Sequence, residues 1–455
     1  MEKMKVLAPL DPAFEPIYRG LEAFAARAAE GPEIRIAVER NDGLVATHDM
    51  RILPEGEDDA LSLRMVERMV KSMLWVYGGF RVTIAGGKAV YEGVKEQYRE
   101  GGERAFDANF MAHVYEHAFE VCYAATPAEA PQRKDASAPI GRHLDGCRIG
   151  FDAGGSDRKV SAVINGESVY SEEVVWFPKT QSDPSYHFDG IVSAMKTAAS
   201  KMPRVDAIGV SSAGVYINNH TMSASLFLKV SPEDYEKYVK DIYIRAAKEI
   251  GDVPLTVCND GDVTALAGAM SLGEDGILGI AMGTSEAGGY VDMKGNITGW
   301  LNELAFVPCD RAPEAMADEW SGDIGCGVKY FSQDAVIKLA PAAGIELDPA
   351  LSPAEKLKVV QGKMEQGDAG ARAIYETIGV YLGYTLAFYA MFYEINHVLL
   401  MGRVTSGEGG DLVLAKAQEV LRTEYPQLKM QVNLPDEKSR RVGQSVAAAS
   451  LPQIG

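Results

Sequence analysis

Apolar and polar residues follow two kinds of period in the first part of the chain. Strand-like alternation over 33–40 and 44–53 flanks Asn41-Asp42-Gly43, which is typical of a hairpin. A helical period indicates helices, and a short apolar run a strand. These further elements are predicted at 59–79 (helix), 80–87 (strand), 89–101 (helix) and 109–124 (helix). The pattern predicts a small α+β domain over 1–126.

Proline, alanine, serine and charged residues dominate 127–147, and this composition is typical of a linker. After it, strand and helix patterns alternate, which favours an α/β architecture. We expect a first lobe over 148–273 and a second lobe over 274–455. The predicted elements are helices at 188–201, 231–251, 261–273, near 370–393 and from Asp411, and strands at 205–214, 254–260 and 397–402.

One pattern occurs twice, at 149–166 and 278–295, with an offset of 129 positions. Each copy has a small, apolar strand, a glycine turn with a hydroxyl, and a second strand. Such a turn exposes backbone N–H groups to phosphate oxygens, with no bulky side chain in the way. We therefore expect two similar lobes that hold one phosphate chain between two turns. The turns are Gly154-Gly155-Ser156 and Gly283-Thr284-Ser285.

Carboxylate and amide groups follow two of the predicted strands. Asp152 precedes the first glycine turn, where it could hold Mg²⁺ directly or through water, although aspartate is also common in ordinary turns. Asn259 and Asp260 lie where a strand gives way to a helix, the usual place for ligands in α/β folds. Asp260 could accept a proton from a substrate hydroxyl, with Asn259 holding a neighbouring one. The alternative is that Asp260 is an N-cap.

Further candidates lie in small-residue turns and loops. Ser212 and Gly214 could offer donors to a polyol, and Glu303 could bind two adjacent hydroxyls. Gly402 and Gly407 follow a buried strand and could let an adenine lie against backbone. For each, the alternative is an ordinary turn or a solvated side chain.

Composition narrows the choice of function. The 455 residues carry a net charge of −19 and no long cluster of Lys and Arg, which disfavours nucleic-acid binding. No window of 18 apolar residues and no apolar signal core is present, so we expect no membrane span and a cytoplasmic location. The five cysteines are widely spaced, which disfavours disulfides and structural zinc.

Six motifs, taken in order, resemble those of ROK-family sugar kinases, within the superfamily of actin, hexokinase and the heat-shock chaperone ATPases. The resemblance covers about 148–455. The motifs are GFDAGGSDRKVSAV, GVSSAGVY, CNDGDVTALAGA, GIAMGTSEAGGYV, GWLNELAF and VLLMGRVTSGEGG.

The resemblance implies two ribonuclease-H-like lobes with a cleft between them, and an ATP- and Mg²⁺-dependent kinase acting on a sugar or polyol. It implies Asp260 as the catalytic base, and Asn259 and Glu303 as sugar ligands. It places the phosphates on the turns at Gly154–Ser156 and Gly283–Ser285. A homodimer stays open.

The chain also departs from the family pattern. Ala305-Phe306 stands where members usually carry Gly-His, and Val328 stands near the place of a second sugar-binding glutamate. We therefore expect no zinc, a more apolar sugar pocket and poor activity on plain glucose. Glu319 and Asp323 are candidates to substitute for the missing groups.

Two other functions compete with the kinase. A sugar-responsive regulator of this family would begin with a helix-turn-helix, whereas 1–126 contains strand patterns. An ATP-binding sensor of the same fold would lack turnover. The presence of Asp152, Asp260 and Glu303 favours a kinase, while Phe306 and Val328 favour a sensor.

Overall fold

The computed structural model describes residues 3–135, 140–435 and 443–454. No helix within these ranges is long and apolar enough to cross a membrane. Internal contacts divide the chain into two compact units. The larger unit comprises Met1–Ala136, Ile280–Gly288 and Trp300–Leu434, and the smaller unit comprises Ser137–Gly279, Gly289–Gly299 and Pro435–Gly455. The domain boundaries expected after residues 126, 147 and 273 stay predictions.

The first part of the larger unit contains a four-stranded sheet and four helices. In chain order these elements are α1 (Ile17–Arg27), β1 (Glu33–Glu39), β2 (Val45–Arg51), α2 (Asp59–Tyr77), β3 (Arg81–Ala85), α3 (Lys88–Tyr98), α4 (Ala105–Tyr115) and β4 (Glu120–Ala124). The sheet has the order β2-β1-β3-β4. β1 is antiparallel to β2 and β3, and β4 is parallel to β3. The predicted hairpin is confirmed.

The helix predicted over 109–124 is wrong in its second half. α4 ends at Tyr115, because Glu116 adopts a left-handed conformation with a φ of 56°. The following residues form β4, which takes its hydrogen bonds from the edge of β3. Valine, cysteine and tyrosine in this run fit a strand once a sheet edge is present.

The smaller unit is built on a five-stranded mixed sheet. Its elements are β5 (Cys147–Ala153), β6 (Asp157–Ile164), β7 (Glu167–Val175), α5 (Pro184–Ala199), β8 (Ala207–Ser212), β9 (Val215–Ile217), β10 (His220–Ser223), α6 (Pro232–Asp234), α7 (Ile242–Lys248), β11 (Leu255–Asn259) and α8 (Asp260–Leu272). The strand order is β11-β8-β5-β6-β7. β5, β8 and β11 are parallel, while β6 is antiparallel to both of its neighbours. Apolar residues of α5 and α7 pack on this sheet.

The single helix predicted over 231–251 is interrupted. The Ser231 hydroxyl caps α6 by accepting the N–H of Asp234 at 3.1 Å, as expected for an N-cap. A π-helical turn follows, and the carbonyl of Lys240 then accepts the N–H of Thr221 at 2.8 Å. This contact diverts a carbonyl that a continuous helix would use, so α7 is a separate helix.

The rest of the chain adds a further four-stranded sheet and long helices. Its elements are β12 (Ile277–Met282), β13 (Glu286–Val291), α9 (Gln333–Leu339), α10 (Pro353–Glu365), α11 (Ala369–Tyr389), β14 (His397–Met401), α12 (Glu408–Glu424), β15 (Gln431–Asn433) and α13 (Gln444–Ala449). The sheet has the order β13-β12-β14-β15. α12 begins within the glycine-rich turn, three residues before the predicted start at Asp411.

The repeated pattern of the sequence gives two strand–turn–strand segments. β5 ends at Ala153 and β12 ends at Met282, 129 positions later. β6 begins at Asp157 and β13 begins at Glu286, again 129 positions later. Both turns therefore contain three residues at matched positions, as the offset predicts.

α13 lies directly against β5 and β8, and both strands carry glycine at the contact. A Cβ on Gly150 would lie 1.6 Å from the carbonyl oxygen of Ser445. A Cβ on Gly209 would lie 1.7 Å from the carbonyl oxygen of Ala448. The two glycines are paired in the register of β5 and β8, so α13 packs against both of them at the same place on the sheet.

We expect Gly150→Ala to destabilise the protein, because the added carbon meets backbone that cannot turn aside. The loss should be about 1–3 kcal/mol or more in the free energy of unfolding, measured by urea denaturation of the full chain. The control is Gly362→Ala in α10, where a Cβ meets no atom within 4 Å. This variant should gain up to about 1 kcal/mol from helix propensity. A Gly150→Ala protein as stable as the wild type would contradict the close approach of α13.

Candidate active site

Three parallel strands of the smaller unit end in polar residues at one edge of the sheet. In the strand registers, Asp152 lies opposite Ser211, and Ser212 lies opposite Asn259. Asp260 follows directly as the first residue of α8. The carboxyl ends of parallel strands are where ligands bind in α/β folds. The fold thus brings separately predicted residues to one place.

Asp152 is buried and held by one hydroxyl. It is 7% exposed, and the Ser211 hydroxyl donates to its Oδ1 at 2.8 Å. Burial raises the pKa of Asp152 to about 6, with the Ser211 hydrogen bond opposing the shift and the charge of Asp260 adding to it. Asp152 is therefore an unusually basic carboxylate beside the first glycine turn.

The structure shows which of Asn259 and Asp260 is the N-cap of α8. The Asn259 Oδ1 accepts the N–H of Gly261 at 2.7 Å, so Asn259 is the N-cap of α8. The alternative in which Asp260 caps this helix is wrong, because Asp260 is the first helical residue. Burial raises the pKa of Asp260, while the N–H of Gly261 and the ammonium of Lys179 oppose the shift.

Gln444 joins the strand ends, and the sequence analysis missed it. Its Nε2 donates to the Ser211 hydroxyl and to the carbonyl of Asp260, both at 3.0 Å. Gln444 is the first residue of α13, whose approach depends on the two strand glycines. No local signal marks this residue, because its partners lie 184 or more positions away.

The first phosphate turn is exposed and anchored from one side. The Trp176 indole donates to the carbonyl of Gly154 at 2.7 Å, and the Trp176 N–H donates to the carbonyl of Ser156 at 3.1 Å. Gly155 and Ser156 are exposed. The side chain of Lys179, which the sequence analysis also missed, lies over Gly155.

The Ser212 hydroxyl and the Gly214 carbonyl both accept hydrogen bonds within the smaller unit. The buried Ser212 hydroxyl accepts from the hydroxyls of Tyr216 and Tyr243, at 2.7 and 2.8 Å. The Gly214 carbonyl accepts from the Asn259 amide at 2.7 Å. Both lone pairs of the serine oxygen are thus used. The role of Ser212 and Gly214 in substrate binding stays a prediction.

The second phosphate turn and the predicted adenine glycines belong to the larger unit. Thr284 and Ser285 are exposed, and the N–H of Gly283 donates to the carbonyl of Ser285 at 2.9 Å. A Cβ on Gly402 would lie 2.3 Å from the carbonyl oxygen of Met282, so β14 ends beside this turn. Gly407, with a φ of 68°, has no atom within 4 Å of its Cβ position.

Glu303 is held by the first part of the chain. Its N–H donates to the carbonyl of Trp75 at 3.0 Å, and the N–H of Asn302 donates to the carbonyl of Val76 at 3.0 Å. Those carbonyls belong to the last turn of α2, where helix carbonyls lack partners within the helix. Phe306 stacks on the Trp75 ring with centroids 4.2 Å apart. Helix α2 therefore positions the segment predicted to bind sugar.

The two candidate substitutes for the missing sugar ligands differ, because Glu319 is exposed and Asp323 is buried. Glu319 pairs with Lys329 at 2.5 Å. Asp323 is 5% exposed and belongs to a buried ion cluster. Its oxygens lie 2.7 to 3.0 Å from the cationic groups of Arg68, Lys71 and Arg104.

Glu67 and Asp107 complete this cluster. Both oxygens of Glu67 lie 2.7 Å from nitrogens of Arg68 and Arg104, and an oxygen of Asp107 lies 3.3 Å from the ammonium group of Lys71. Burial by itself would raise the pKa of Asp323, but the three cations hold it well below its usual range. A carboxylate bound in this way has no capacity left for a sugar hydroxyl. The expectation for Asp323 is therefore wrong, whereas the expectation for the exposed Glu319 stays a prediction.

Glu286 is a buried carboxyl group that the sequence analysis gave no chemical role. It is 3% exposed, and the Tyr389 hydroxyl donates to its Oε1 at 3.4 Å. Within the described part of the chain, its Oε2 has no hydrogen-bond partner. Burial raises the pKa of Glu286 to about 8, with Tyr389 opposing the shift and the charge of Glu303 adding to it.

A metal at this site would have a single protein carboxylate. Among the described residues, no group of three or more His, Cys, Asp or Glu side chains is placed to hold an ion. One carboxylate next to a phosphate turn still fits Mg²⁺, which keeps several waters and binds substrate phosphates. Asp152 is the residue that would hold it. The expected absence of zinc stays a prediction.

Comparison with known proteins shows the fold. No family model and no curated protein matches the chain. A ROK hexokinase from Thermus thermophilus is 17% identical, covers 67% of this chain and 96% of that chain, and has a TM-score of 0.51. A ROK family glucokinase from Streptomyces griseus, in complex with glucose and AMPPNP, is 20% identical, covers 68% of this chain and 100% of that chain, and has a TM-score of 0.49.

A ROK family transcriptional regulator, a homologue of the E. coli MLC protein, is 17% identical, covers 68% of this chain and 79% of that chain, and has a TM-score of 0.49. The assignment of this chain's fold is based on the hexokinase structure. It confirms the α/β fold class and the resemblance to ROK-family sugar kinases in fold.

Glu286 should make the stability of the protein depend on pH. Between about pH 4 and its folded pKa of about 8, the folded state binds a proton that the unfolded state does not, so stability falls as pH rises. Replacing it by Glu286→Gln removes this term. The free energy of unfolding of the variant minus that of the wild type should therefore increase by about 1.4 kcal/mol per pH unit from pH 5 toward pH 8. Urea unfolding at four pH values measures it.

The control for this measurement is Glu167→Gln, which makes the same replacement of a carboxylate oxygen by an NH2 group at an exposed glutamate. Its stability difference from the wild type should stay small across the series. A Glu286→Gln difference that is constant with pH would contradict a protonated glutamate at this position.

Proposed function

We propose that the chain is a cytoplasmic phosphotransferase that moves a phosphoryl group from ATP to a hydroxyl of a sugar or sugar-like polyol, with Mg²⁺ as its metal. The observation that carries this proposal is the meeting of Asp260 and Asp152 at the carboxyl ends of parallel strands, beside the exposed turn Gly154–Ser156. Phosphoryl transfer to an alcohol needs a phosphate cradle and a group that accepts the hydroxyl proton. The smaller unit offers both.

Asp260 is the proposed base. It accepts the proton of the substrate hydroxyl as that oxygen bonds to the γ-phosphorus and the bond from phosphorus to the ADP oxygen breaks. Its raised pKa favours proton acceptance near neutral pH, since a general base works best when its pKa approaches the operating pH. Gln444 fixes the Asp260 backbone through its carbonyl, which orients the first turn of α8.

The neighbouring residues are assigned to binding. Asn259 donates one amide hydrogen to Gly214, and we assign the second to a substrate hydroxyl. We assign Ser212 and Gly214 to the part of the substrate site next to Asn259. Mg²⁺ held by Asp152 would neutralise charge on the phosphates.

Residues of the larger unit receive two roles. Glu303 is assigned to adjacent hydroxyls of the substrate, supported by its fixed backbone on α2. The turn at Gly283–Ser285 is assigned to phosphates, and Gly402 and Gly407 to the adenosine. The open space at Gly407 supports this last assignment.

The competing function is an ATP- and sugar-binding sensor without turnover. One experiment separates the two: ADP release measured with MgATP and a panel of sugars and polyols, with binding of the same compounds followed by calorimetry. Turnover stimulated by one compound selects the kinase, and binding without turnover selects the sensor.

Asp260→Asn should lower turnover by about a hundredfold or more and leave MgATP affinity nearly unchanged. The reason is that general-base catalysis contributes about 10²–10⁴-fold, whereas the amide keeps the size of the carboxylate and one acceptor oxygen but cannot take up the proton. Steady-state kinetics and calorimetry measure the two quantities. A variant with near wild-type turnover on its best substrate would remove Asp260 from the proposed mechanism.

The substrate should have less polar surface than glucose on the side that faces Phe306. The Phe306 ring packs on Trp75 and lies 5.6 Å from Phe106 between centroids, so this wall is aromatic. A hydroxyl that faces it stays unsatisfied, which penalises glucose. We expect kcat/KM at least about tenfold higher for a deoxy or apolar-substituted sugar or cyclitol than for glucose. Phe306→His should move the preference toward glucose. Efficient phosphorylation of glucose by the wild type would contradict this.

A further inference from the structure

Residues 176–180 form a short segment fixed to the first phosphate turn. Trp176 is 1% exposed and makes two hydrogen bonds to that turn, one through its indole and one through its backbone. The buried Pro178 accepts a hydrogen bond from the His187 ring at 3.0 Å through its carbonyl. These hydrogen bonds connect the segment to the turn on one side and to α5 on the other.

Lys179 follows within a single 3₁₀ turn, Pro178–Thr180, and its exposed side chain reaches back over the glycines. Its Cε and Nζ lie 3.0 and 3.2 Å from the position that a Cβ on Gly155 would occupy. Glycine at 155 thus leaves the space that this side chain uses. The ammonium group lies directly above the backbone that is assigned to phosphate oxygens.

Within the part of the chain that the structure describes, Lys179 forms no ion pair. Among the described residues, no carboxylate lies within 4 Å of its ammonium group. Lys159 makes a contrast, because it lies 3.8 Å from both Asp157 and Glu173. A lysine over a phosphate turn without a carboxylate partner is suited to a phosphate ligand, which it binds as a point charge.

The same cation acts on the proposed base. Its positive charge is one of the influences that lower the pKa of Asp260, against the larger effect of burial. The ammonium group lies over Gly155, so a phosphoryl group that leaves this turn for the hydroxyl at Asp260 starts beside it. That group, in the proposed reaction, is the γ-phosphoryl.

We propose that Lys179 binds the γ-phosphoryl group of the nucleotide and stabilises the charge on its oxygens during transfer to the substrate hydroxyl at Asp260. This inference rests on the proposed function. Charge on the equatorial oxygens is what cationic side chains stabilise in phosphoryl transfer, since the transition state is loose. Gly155 and Trp176 hold Lys179 in place for this role.

The test compares nucleotides with and without a γ-phosphate. Calorimetry with Mg²⁺ measures the affinity for AMPPNP and for ADP in the wild type, Lys179→Ala, Lys179→Arg and the control Lys229→Ala, which removes the same charge from an exposed position. We expect Lys179→Ala to weaken AMPPNP by about 10- to 100-fold, the range of hydrogen bonds to charged groups, and ADP by less than about twofold. Lys179→Arg should restore part of the loss, and Lys229→Ala should match the wild type.

Three results would overturn the proposal in distinguishable ways. Unchanged AMPPNP affinity in Lys179→Ala would remove Lys179 from the site and leave the proposed function standing. An equal loss for AMPPNP and ADP would place the lysine at the other phosphates. A wild type that binds neither nucleotide would overturn the proposed function and this inference with it. Circular dichroism of each variant confirms that the exposed substitutions leave the fold intact.

Discussion

The close approach of α13 to β5 and β8 is the constraint on which the candidate site depends. Only glycine at 150 and 209 leaves room for the helix backbone, and the helix begins with Gln444. That glutamine binds both the Ser211 hydroxyl and the Asp260 carbonyl, and Ser211 in turn binds Asp152. The side chain of Asp152 at the end of β5 and the backbone of Asp260 at the start of α8 are thus linked by one chain of hydrogen bonds. Such networks depend on every member being present, because a buried polar group left without a partner is costly.

The parts of the site that sequence could predict are those that local patterns determine. The glycine turns follow from residues within a few positions of each other, and both strand–turn–strand segments occur with the predicted offset. Asp152, Asn259 and Asp260 were found because strand ends and helix starts carry recognisable signals. Which residue caps α8 was not decided by sequence, since Asn259 and Asp260 are both good caps and only packing distinguishes them.

The parts that sequence could not predict involve partners far apart in the chain. Gln444, Lys179 and the α2 carbonyls carry no local motif, and each gains its role from a contact formed by tertiary structure. None of the predicted site residues lies within the first 126 residues. In the larger unit, however, the last turn of α2 receives the N–H groups of Asn302 and Glu303. The carbonyl groups at the end of α2 lack donors within the helix, and the loop supplies them. The sequence of neither segment predicts this contact by itself.

The buried ion cluster of Glu67, Arg68, Lys71, Arg104, Asp107 and Asp323 has a consequence for how this protein can evolve. Loss of one member leaves a buried charge without its counter-charge, at a cost of about 3–5 kcal/mol, whereas an apolar replacement of the whole group is often neutral or better. The route from one solution to the other passes through poorly folded intermediates. These positions therefore behave as a single heritable unit, and lineages should retain all six together or have exchanged all six together.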